Sequence, residues 1–301
     1  MIRTLDNLGF SQRQRLTFIE SVAYWEGAVD RPRVSRVFNV SGNHVTKDFR
    51  LYKDTFPGNI KYDERSRVYR PLPTFKPRIG KGSAEEYLAL LRTFTDGDKS
   101  ATVPAMAGMV AADAVPQPKG KLESAVLNTI TRAISSRTGL AVTYQSLRNG
   151  KPRERRIWPH ALVFGGTRWH ARVFDESEAK FIDLVLQRFI RAKPIEMSAP
   201  VEVDQDVEWN TFVSLDARPN RAFTPSQAEV VAQEFGMKQV GRQWIWQVRL
   251  RQCLAQYFIY LYRLDLADDP RRLIELADKR AIERYGLGTR GKVAKSAKGT
   301  G

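Results

Sequence analysis

The chain has 301 residues, enough for two or three domains with real cores, and its 42% hydrophobic and 27% charged content is that of a soluble globular protein. No apolar run approaches the length of a membrane span, and the N-terminus lacks the apolar core of a signal peptide, so a cytoplasmic protein with no membrane partner is expected. The net charge of +16, with a pI near 10, favours a polyanionic partner, nucleic acid ahead of membrane, because no basic amphipathic anchor is present. The single cysteine, Cys253, excludes an intramolecular disulfide framework, fits a reducing compartment, and reads as an inert buried thiol in an apolar helix.

The charge is unevenly placed. Residues 1–80 carry 15 Lys and Arg against 8 Asp and Glu, a net of +7. A second excess falls between Arg148 and Arg172 and a third from Arg280 onward, so two separated basic surfaces imply two anionic ligands.

In chain order, Ser11 to Glu26 predicts an amphipathic helix with Leu16, Phe18, Ile19, Val22, Ala23 and Trp25 on its apolar side. Asp30 is placed to cap a short second helix with Pro32 in its first turn; this helix buries Val34, Val37 and Phe38 and ends near Asn39. Val40 and Ser41 make a turn, and Ser41 caps a third helix in which Val45, Phe49 and Tyr52 fall at i, i+4 and i+7. The outer face keeps Asn43, His44, Thr46, Lys47 and Arg50. Short polar groups near a helix start, with cations further along, suit base edges and phosphates of a DNA major groove. Thr55 to Asn59 stops the helix, and residues 60–72 predict a β-hairpin with Arg65 and Arg67 near its tip. Three helices and a basic hairpin make a winged helix-turn-helix module, assigned to residues 1–80. Arg33, Arg36, Ser41, Lys53, Arg65 and Arg67 are expected to join the recognition-helix residues at DNA, the arginines of the second helix and wing clamping backbone.

Ser83 to Phe94 predicts a helix with Ser83 and Glu86 as a capping box, and residues 81–120 form a linker helix and connector in which Met106 to Ala112 can be a short helical piece. A middle domain, residues 121–200, opens with a helix from Leu122 to Ser135. Short strands follow at Leu140 to Ser146, Arg153 to Trp158, Leu162 to Phe164, Trp169 to Phe174 and Phe181 to Leu184, with turn signals at Asn149-Gly150 and Gly165-Gly166. Such spacing predicts a small barrel or sandwich. A last domain, residues 201–286, alternates strand and helix: Trp209 to Leu215, Thr224 to Phe235, Gln243 to Val248, an unusually apolar helix from Leu250 to Leu264, and a final helix from Asp269 through Ile282. Residues 287–301 are basic and of low complexity, which predicts disorder.

The segment PHALVFGGTRWHARVFD, with Tyr144-Gln145-Ser146 and Arg155 to His160 upstream and Phe181-Ile182-Asp183 and Arg188 downstream, resembles a WYL domain. Trp169-His170-Ala171 stands at the naming tripeptide and departs from Tyr and Leu at its second and third positions. The RWH-x-R pattern after PHALV is similar to WYL repressors guarding phage-defence operons, the BrxR and CapW type. So are AYWEG, LYKDTFPGNIKYD and RVY in the first domain, and Pro219-Asn220, Gln227, Phe235-Gly236-Met237 and the apolar helix in the last. The resemblance spans about Ser11 to Leu266 through the order of its motifs. It implies a multidomain α+β chain: a winged helix, a WYL domain with an Sm-like β-barrel, and a C-terminal α/β dimerisation domain of the WCX kind. It also implies a homodimer and a ligand-responsive regulator, with a ligand pocket at Tyr144, Ser146, Arg156, His160, Arg168, Trp169, His170, Arg172 and Arg188.

The residues themselves agree in kind, because Arg forks hold phosphate and Trp169 and Tyr144 offer flat faces to a base. Strand alternation places His170 and Arg172 on one face and Trp169 with Ala171 on the other, leaving Trp169 as either contact or core. Arg155 and Arg156 likewise face opposite ways, so one of them lines the pocket.

Three histidines and one cysteine give no zinc spacing, and neither a phosphate loop nor a nucleophile elbow is present; no cofactor, no metal and no enzyme activity is expected. Glu202, Asp204 and Asp206 read as a solvated acidic connector. The sequence thus predicts a homodimeric repressor that binds a double-stranded, inverted-repeat operator and senses an anionic effector, a nucleotide or single-stranded nucleic acid. An RNA- or single-strand-binding effector, or an activator, remains the alternative.

Overall fold

In the computed structural model, residues 8–80, 82–96, 110, 112–118, 120–147, 150–266 and 272–286 are described. The chain divides into two compact units, Met1–Gln117 and Pro118–Gly301. Among the described residues, no helix is long and apolar enough to cross a membrane.

The first unit begins with helix α1 (Phe10–Glu26), which Gly27 ends in the left-handed region at φ 75°. Helix α2 (Arg31–Phe38) starts where the Asp30 carboxylate accepts the Arg33 N–H at 2.6 Å, with Pro32 in the first turn as expected. It ends at Asn39 with φ 50°, a conformation Asn tolerates better than bulkier residues, and this produces the tight turn into α3 (Gly42–Thr55). Ser41 stands at the cap position of α3, yet its side chain makes no capping bond to the backbone; its hydroxyl pairs with His44 Nδ1 at 2.9 Å.

Strands β1 (Ile60–Asp63) and β2 (Val68–Pro71) form the antiparallel wing, and Val29 and Tyr69 exchange backbone hydrogen bonds of 2.9 and 2.8 Å that dock the wing on the entry to α2. Leu16, Ile19, Val22, Val34, Val45, Phe49 and Tyr52 form one core. Phe49 of α3 stacks on Tyr69 of the wing with ring centroids 4.0 Å apart. Helix α4 (Ala84–Asp96) adds Tyr87 and Leu91 to that core, Tyr87 stacking on Trp25 at 5.1 Å. The side chain of Glu86, and Met106 to Met109 of the expected helical piece, lie outside the described residues.

The second unit opens with α5 (Ser124–Ser136), packed on a five-stranded antiparallel sheet of order β6-β5-β4-β3-β7. The strands are β3 (Gly139–Gln145), β4 (Pro152–Phe164), β5 (Trp169–Asp175), β6 (Lys180–Val185) and β7 (Phe189–Ile195). Two expected strands are here one, β4, because the break read at Pro159 is a β-bulge between Pro159 and Ala161. A bulge accommodates a proline that cannot serve a regular ladder. The sequence reading omitted β7, whose Pro194 argues against a central strand; β7 is the sheet edge, where Pro is tolerated. No pairing of β6 with β7 closes the sheet among the described residues, which form a five-stranded antiparallel sheet and not a closed ring. At the β3–β4 turn, Gly150 has φ 65° while Asn149 lies outside the described residues.

Beyond β7 come α6 (Val207–Asn210), β8 (Phe212–Ser214), β9 (Ala217–Pro219), α7 (Pro225–Glu234), β10 (Lys238–Val240), β11 (Gln243–Ile245), β12 (Arg249–Arg251), α8 (Gln252–Leu261), β13 (Ile274–Leu276) and α9 (Arg280–Tyr285). The Thr224–Gln227 capping box at α7 forms as expected. Three expectations are corrected. Trp209 lies on a short helix, not in a strand. The final helix to Ile282 is replaced by β13, which pairs with β9, followed by α9. Helix α8 is shorter than the expected Leu250 to Leu264, and its Tyr260 and Leu261 are exposed.

Replacing Asp30 by Ala removes the acceptor for a helix-start N–H; we expect a loss of about 1 kcal/mol in urea unfolding. Ser41→Ala, where the side chain caps no backbone N–H, is expected to cost less than Asp30→Ala in the same assay.

Candidate nucleic-acid interface

On α3 the 3.6-residue repeat places Asn43, Thr46, Lys47 and Arg50 at i, i+3, i+4 and i+7, and all four are exposed with His44 and Lys53. The opposite face is fixed. Val45, Phe49 and Tyr52 are buried, and the buried Asp48 carboxylate accepts the Arg15 guanidinium at 2.6 and 3.3 Å and Gln12 at 2.9 Å, pinning α3 to α1. Asp48 did not stand out in the sequence, because its i+3 relation to Val45 reads as polar. Arg50 is 85% exposed and only loosely paired with Asp54 at 3.8 Å.

Between α2, the start of α3 and the wing lies an open hollow of about 630 Å³, lined by residues that include Arg31, Ser35, Asn43, Thr46, Tyr62 and Arg67. Three of the expected DNA contacts, Asn43, Thr46 and Arg67, therefore share one surface. Arg31 and Tyr62 join them unforeseen: the Arg31 guanidinium lies 5.6 Å from the Tyr62 ring centroid and donates to its hydroxyl at 3.4 Å. At the wing tip Asp63 accepts the Ser66 hydroxyl at 2.5 Å and Arg70 at 3.0 Å. Those two bonds hold its carboxyl down to about 2, so the turn that presents Arg65 and Arg67 is organised by a permanent anion. Both arginines are exposed, as is Arg36.

Arg33 is a correction. Its guanidinium makes a bidentate pair with Glu26 at 2.6 and 3.0 Å, beneath 11% exposure and 5.7 Å from the Phe18 ring centroid. A charge so engaged holds α2 to α1 and is not presented to phosphate.

The second expected site is rearranged. Arg172, on β5, has no exposed surface, so it cannot meet a ligand from solvent. It donates to Asp206 at 2.8 and 2.7 Å, to Glu208 at 3.0 Å and to Asp183 at 3.2 Å. His160, the extra residue of the β4 bulge, is turned onto the same carboxylate, its Nε2 2.9 Å from Asp206 Oδ2, the oxygen that also accepts the Arg172 Nε–H. Burial opposes the charge on Asp206, but the bonds from Arg172 and His160 outweigh it and hold the carboxyl well below its usual range. The acidic connector is thus solvated at Glu202 and Asp204 and sealed at Asp206.

Tyr257 of α8 donates to Asp183 at 3.1 Å and lies 5.0 Å from the ring of His170. Burial lowers the His170 pKa against the pull of Asp183, and no hydrogen-bond partner meets its buried Nδ1. Tyr144 is buried and accepts the Val185 N–H at 3.1 Å, a core role. Arg155 pairs with buried Asp175 at 2.6 Å, and Arg156 is exposed beside Glu176 at 3.4 Å. Alternation along β5 does not hold: only Trp169, at the strand start, is exposed (48%), while residues 170–175 are all buried. Trp169 is therefore surface, packed against Phe164 at 5.2 Å, with Arg168 exposed next to it and Ser146 and Arg188 half-buried. Cys253 is buried and its thiol is pushed up to about 11, first by burial and then by Asp183, which fits an inert thiol.

These elements define a winged-helix WYL protein. The chain matches the winged helix-turn-helix domain of BrxR transcriptional regulators over residues 11–93, the WYL domain over 125–194, and the C-terminal dimerisation domain of BrxR regulators over 212–282. Relatives include the DNA-binding transcriptional repressor CapW of Stenotrophomonas maltophilia, 31% identical over 76% of both chains, and that of Pseudomonas aeruginosa, 30% identical over 91% of both. CapW of Escherichia coli is 27% identical over 92% of both chains. A solved proteasome accessory factor B/C of Arthrobacter aurescens overlaps with a TM-score of 0.27 at 14% identity, covering 96% of this chain and 49% of that one, a likeness too low to bear on the fold. The chain belongs to the CapW family of BrxR-type WYL regulators.

Arg172→Ala leaves buried carboxylates without their cation and is expected to cost about 3–5 kcal/mol in urea unfolding of the second unit, whereas Arg168→Ala should stay within about 0.5 kcal/mol. Because the Asp206 carboxyl is depressed in the fold, its stabilisation is complete above the ordinary Asp pKa of about 4 and is lost as pH falls below it. Asp206→Asn should flatten that acid limb, and an unchanged limb would assign the acid sensitivity elsewhere.

Proposed function

We propose that this protein is a homodimeric transcriptional repressor of a phage-defence operon that binds an inverted-repeat operator near its own gene. The observation that carries the reading is the exposed stripe Asn43, Thr46, Lys47 and Arg50 on a helix whose other face is locked into a core, beside a basic wing. In this reading Asn43 and Thr46 meet base edges, Lys47, Arg50 and Lys53 reach bases or adjacent phosphates, and Arg36, Arg65 and Arg67 hold backbone. Ser41 orients His44, leaving its Nε2 towards the groove. Repression is the activity in the names of the CapW relatives, and dimerisation is in the name of the matched C-terminal domain. The exposed Tyr260 and Leu261 of α8 supply apolar area for a second copy.

Residues 1–80 would act as the DNA-binding domain, 81–120 as connector, 121–200 as sensor, 201–286 as dimerisation domain and 287–301 as basic tail. The effector contact moves to the surface. An anionic ligand, a nucleotide or single-stranded nucleic acid, would stack on Trp169 and Phe164 and place phosphate on Arg168 and Arg188, with Arg156 and Ser146 at the margin. His160, His170, Arg172 and Tyr144 would support that surface from within instead of touching the ligand.

The test is binding of the purified chain to duplex DNA from upstream of its gene, against a shuffled duplex, across a salt series. Specificity of about 10³ or more is expected. Arg50→Ala should cost about 1–3 kcal/mol and relax preference at one base pair, while Arg65→Ala should weaken all duplexes alike and lower the salt slope by about 1. Equal, steeply salt-dependent binding of both duplexes by the unmodified protein would overturn the operator reading.

A further inference from the structure

Glu20 sits in the middle of α1, presents nothing to DNA, and is 2% exposed. A carboxylate at that depth is retained only where its lone pairs all meet donors. Four donors converge on it. One oxygen accepts the Tyr52 hydroxyl at 2.8 Å and the Arg78 N–H at 2.9 Å. The other accepts the N–H groups of Ile79 and Gly80, both at 2.9 Å. Tyr52 belongs to the recognition helix α3, and residues 78–80 are the segment by which the chain leaves the wing towards α4. Asn59 ties the same parts together: its amide donates to the Tyr52 hydroxyl at 3.0 Å and to the Lys76 carbonyl at 2.9 Å, and its own carbonyl accepts the Lys76 N–H at 3.3 Å.

A buried charge is a poor source of stability, since an apolar residue of similar volume commonly does as well or better. What four directed bonds supply instead is a fixed geometry. Apolar faces tolerate small slides; a carboxylate shared between a hydroxyl and three successive amides does not. The Tyr52 hydroxyl gives its proton to Glu20 and receives one from Asn59, so the direction of every bond in the cluster is set.

We infer that Glu20 is a positioning residue for operator reading: it sets the recognition helix against the exit segment 78–80 through the Tyr52 hydroxyl. The orientation of Asn43, Thr46, Lys47 and Arg50 is then registered to the chain that leads out of the domain. Displacing 78–80 removes three of the four donors to Glu20, so the exit and the recognition helix do not move independently. The inference rests on the operator-binding reading above, and its test separates the two.

Full-chain Glu20→Gln and Tyr52→Phe are compared with the unmodified protein on the upstream duplex and the shuffled duplex, well below each variant's Tm. Gln at position 20 turns an N–H₂ towards N–H donors, whereas Phe at position 52 deletes the hydroxyl and leaves Glu20 on residues 78–80. For Glu20→Gln the expected result is a roughly tenfold loss of operator affinity, with shuffled-duplex affinity and salt slope kept. Tyr52→Phe should lose discrimination in the same direction but less, and the double variant should be no worse than Glu20→Gln. A merely structural residue would lower Tm and either leave both affinities unchanged or weaken both duplexes alike, and either outcome overturns the inference. So does wild-type discrimination in the folded variants. If the unmodified protein itself fails to discriminate, the operator reading falls first and this inference with it.

Discussion

A guanidinium with no exposed surface governs the second unit. Arg172 stands on β5, an inner strand of the sheet, and its donors reach carboxylates from β6 and from the segment that opens the C-terminal domain. Removing that charge from water costs several kcal/mol unless each donor is met, so the strand, the bulge that turns His160 and the chain at 206–208 must be in place together. The sheet and the following domain are accordingly built as one body, with Tyr257 of α8 adding a further link through Asp183. A change at the sheet therefore has a direct physical route to α8, which also carries the exposed Tyr260 and Leu261.

The first unit follows a different economy. Its recognition surface is solvent-facing and short of partners, and its rigidity comes from behind: Asp48 against Arg15, Phe49 against Tyr69, and Tyr52 against Glu20. Two of these contacts join α3 to α1 and one joins it to the wing, so the helix is held along its length. Such backing suits a surface that must offer fixed polar groups to a groove, because donors that reorganise on contact lose part of what they gain in binding.

What could be read from the sequence was what is local. Asp30 with Pro32, the stripe Val45-Phe49-Tyr52 and the hairpin at residues 60–71 declare themselves within a few turns of chain, and each formed as read. The site was legible as a set of residue types and less so as a set of positions. Arg172 reads as a free cation because its partner Asp206 is 34 residues away, and Arg33 because Glu26 lies across a turn. Alternation along β5 failed for a related reason: an inner strand covered on both faces buries polar residues along with apolar ones. The final segment misled because Asp269-Pro270 reads as the start of a helix through Ile282, yet pairing with β9 claims Ile274 to Leu276 as strand.

The two units place their ionisable groups to opposite effect. In the first, Lys47, Arg50, Arg65 and Arg67 lie outside while Glu20, Glu26 and Asp48 are consumed within, so the outward face is predominantly basic. In the second, the carboxylates Asp183, Asp206 and Glu208 outnumber the one guanidinium they surround, so the buried cluster itself repels an anion. The cations outside that cluster include Arg168, exposed beside Trp169, and the half-buried Arg188. His170 lies behind them, its ring 5.0 Å from that of Tyr257 and held towards its neutral form by burial. The same residue types that suggest a pocket in the sequence are thus engaged within the fold.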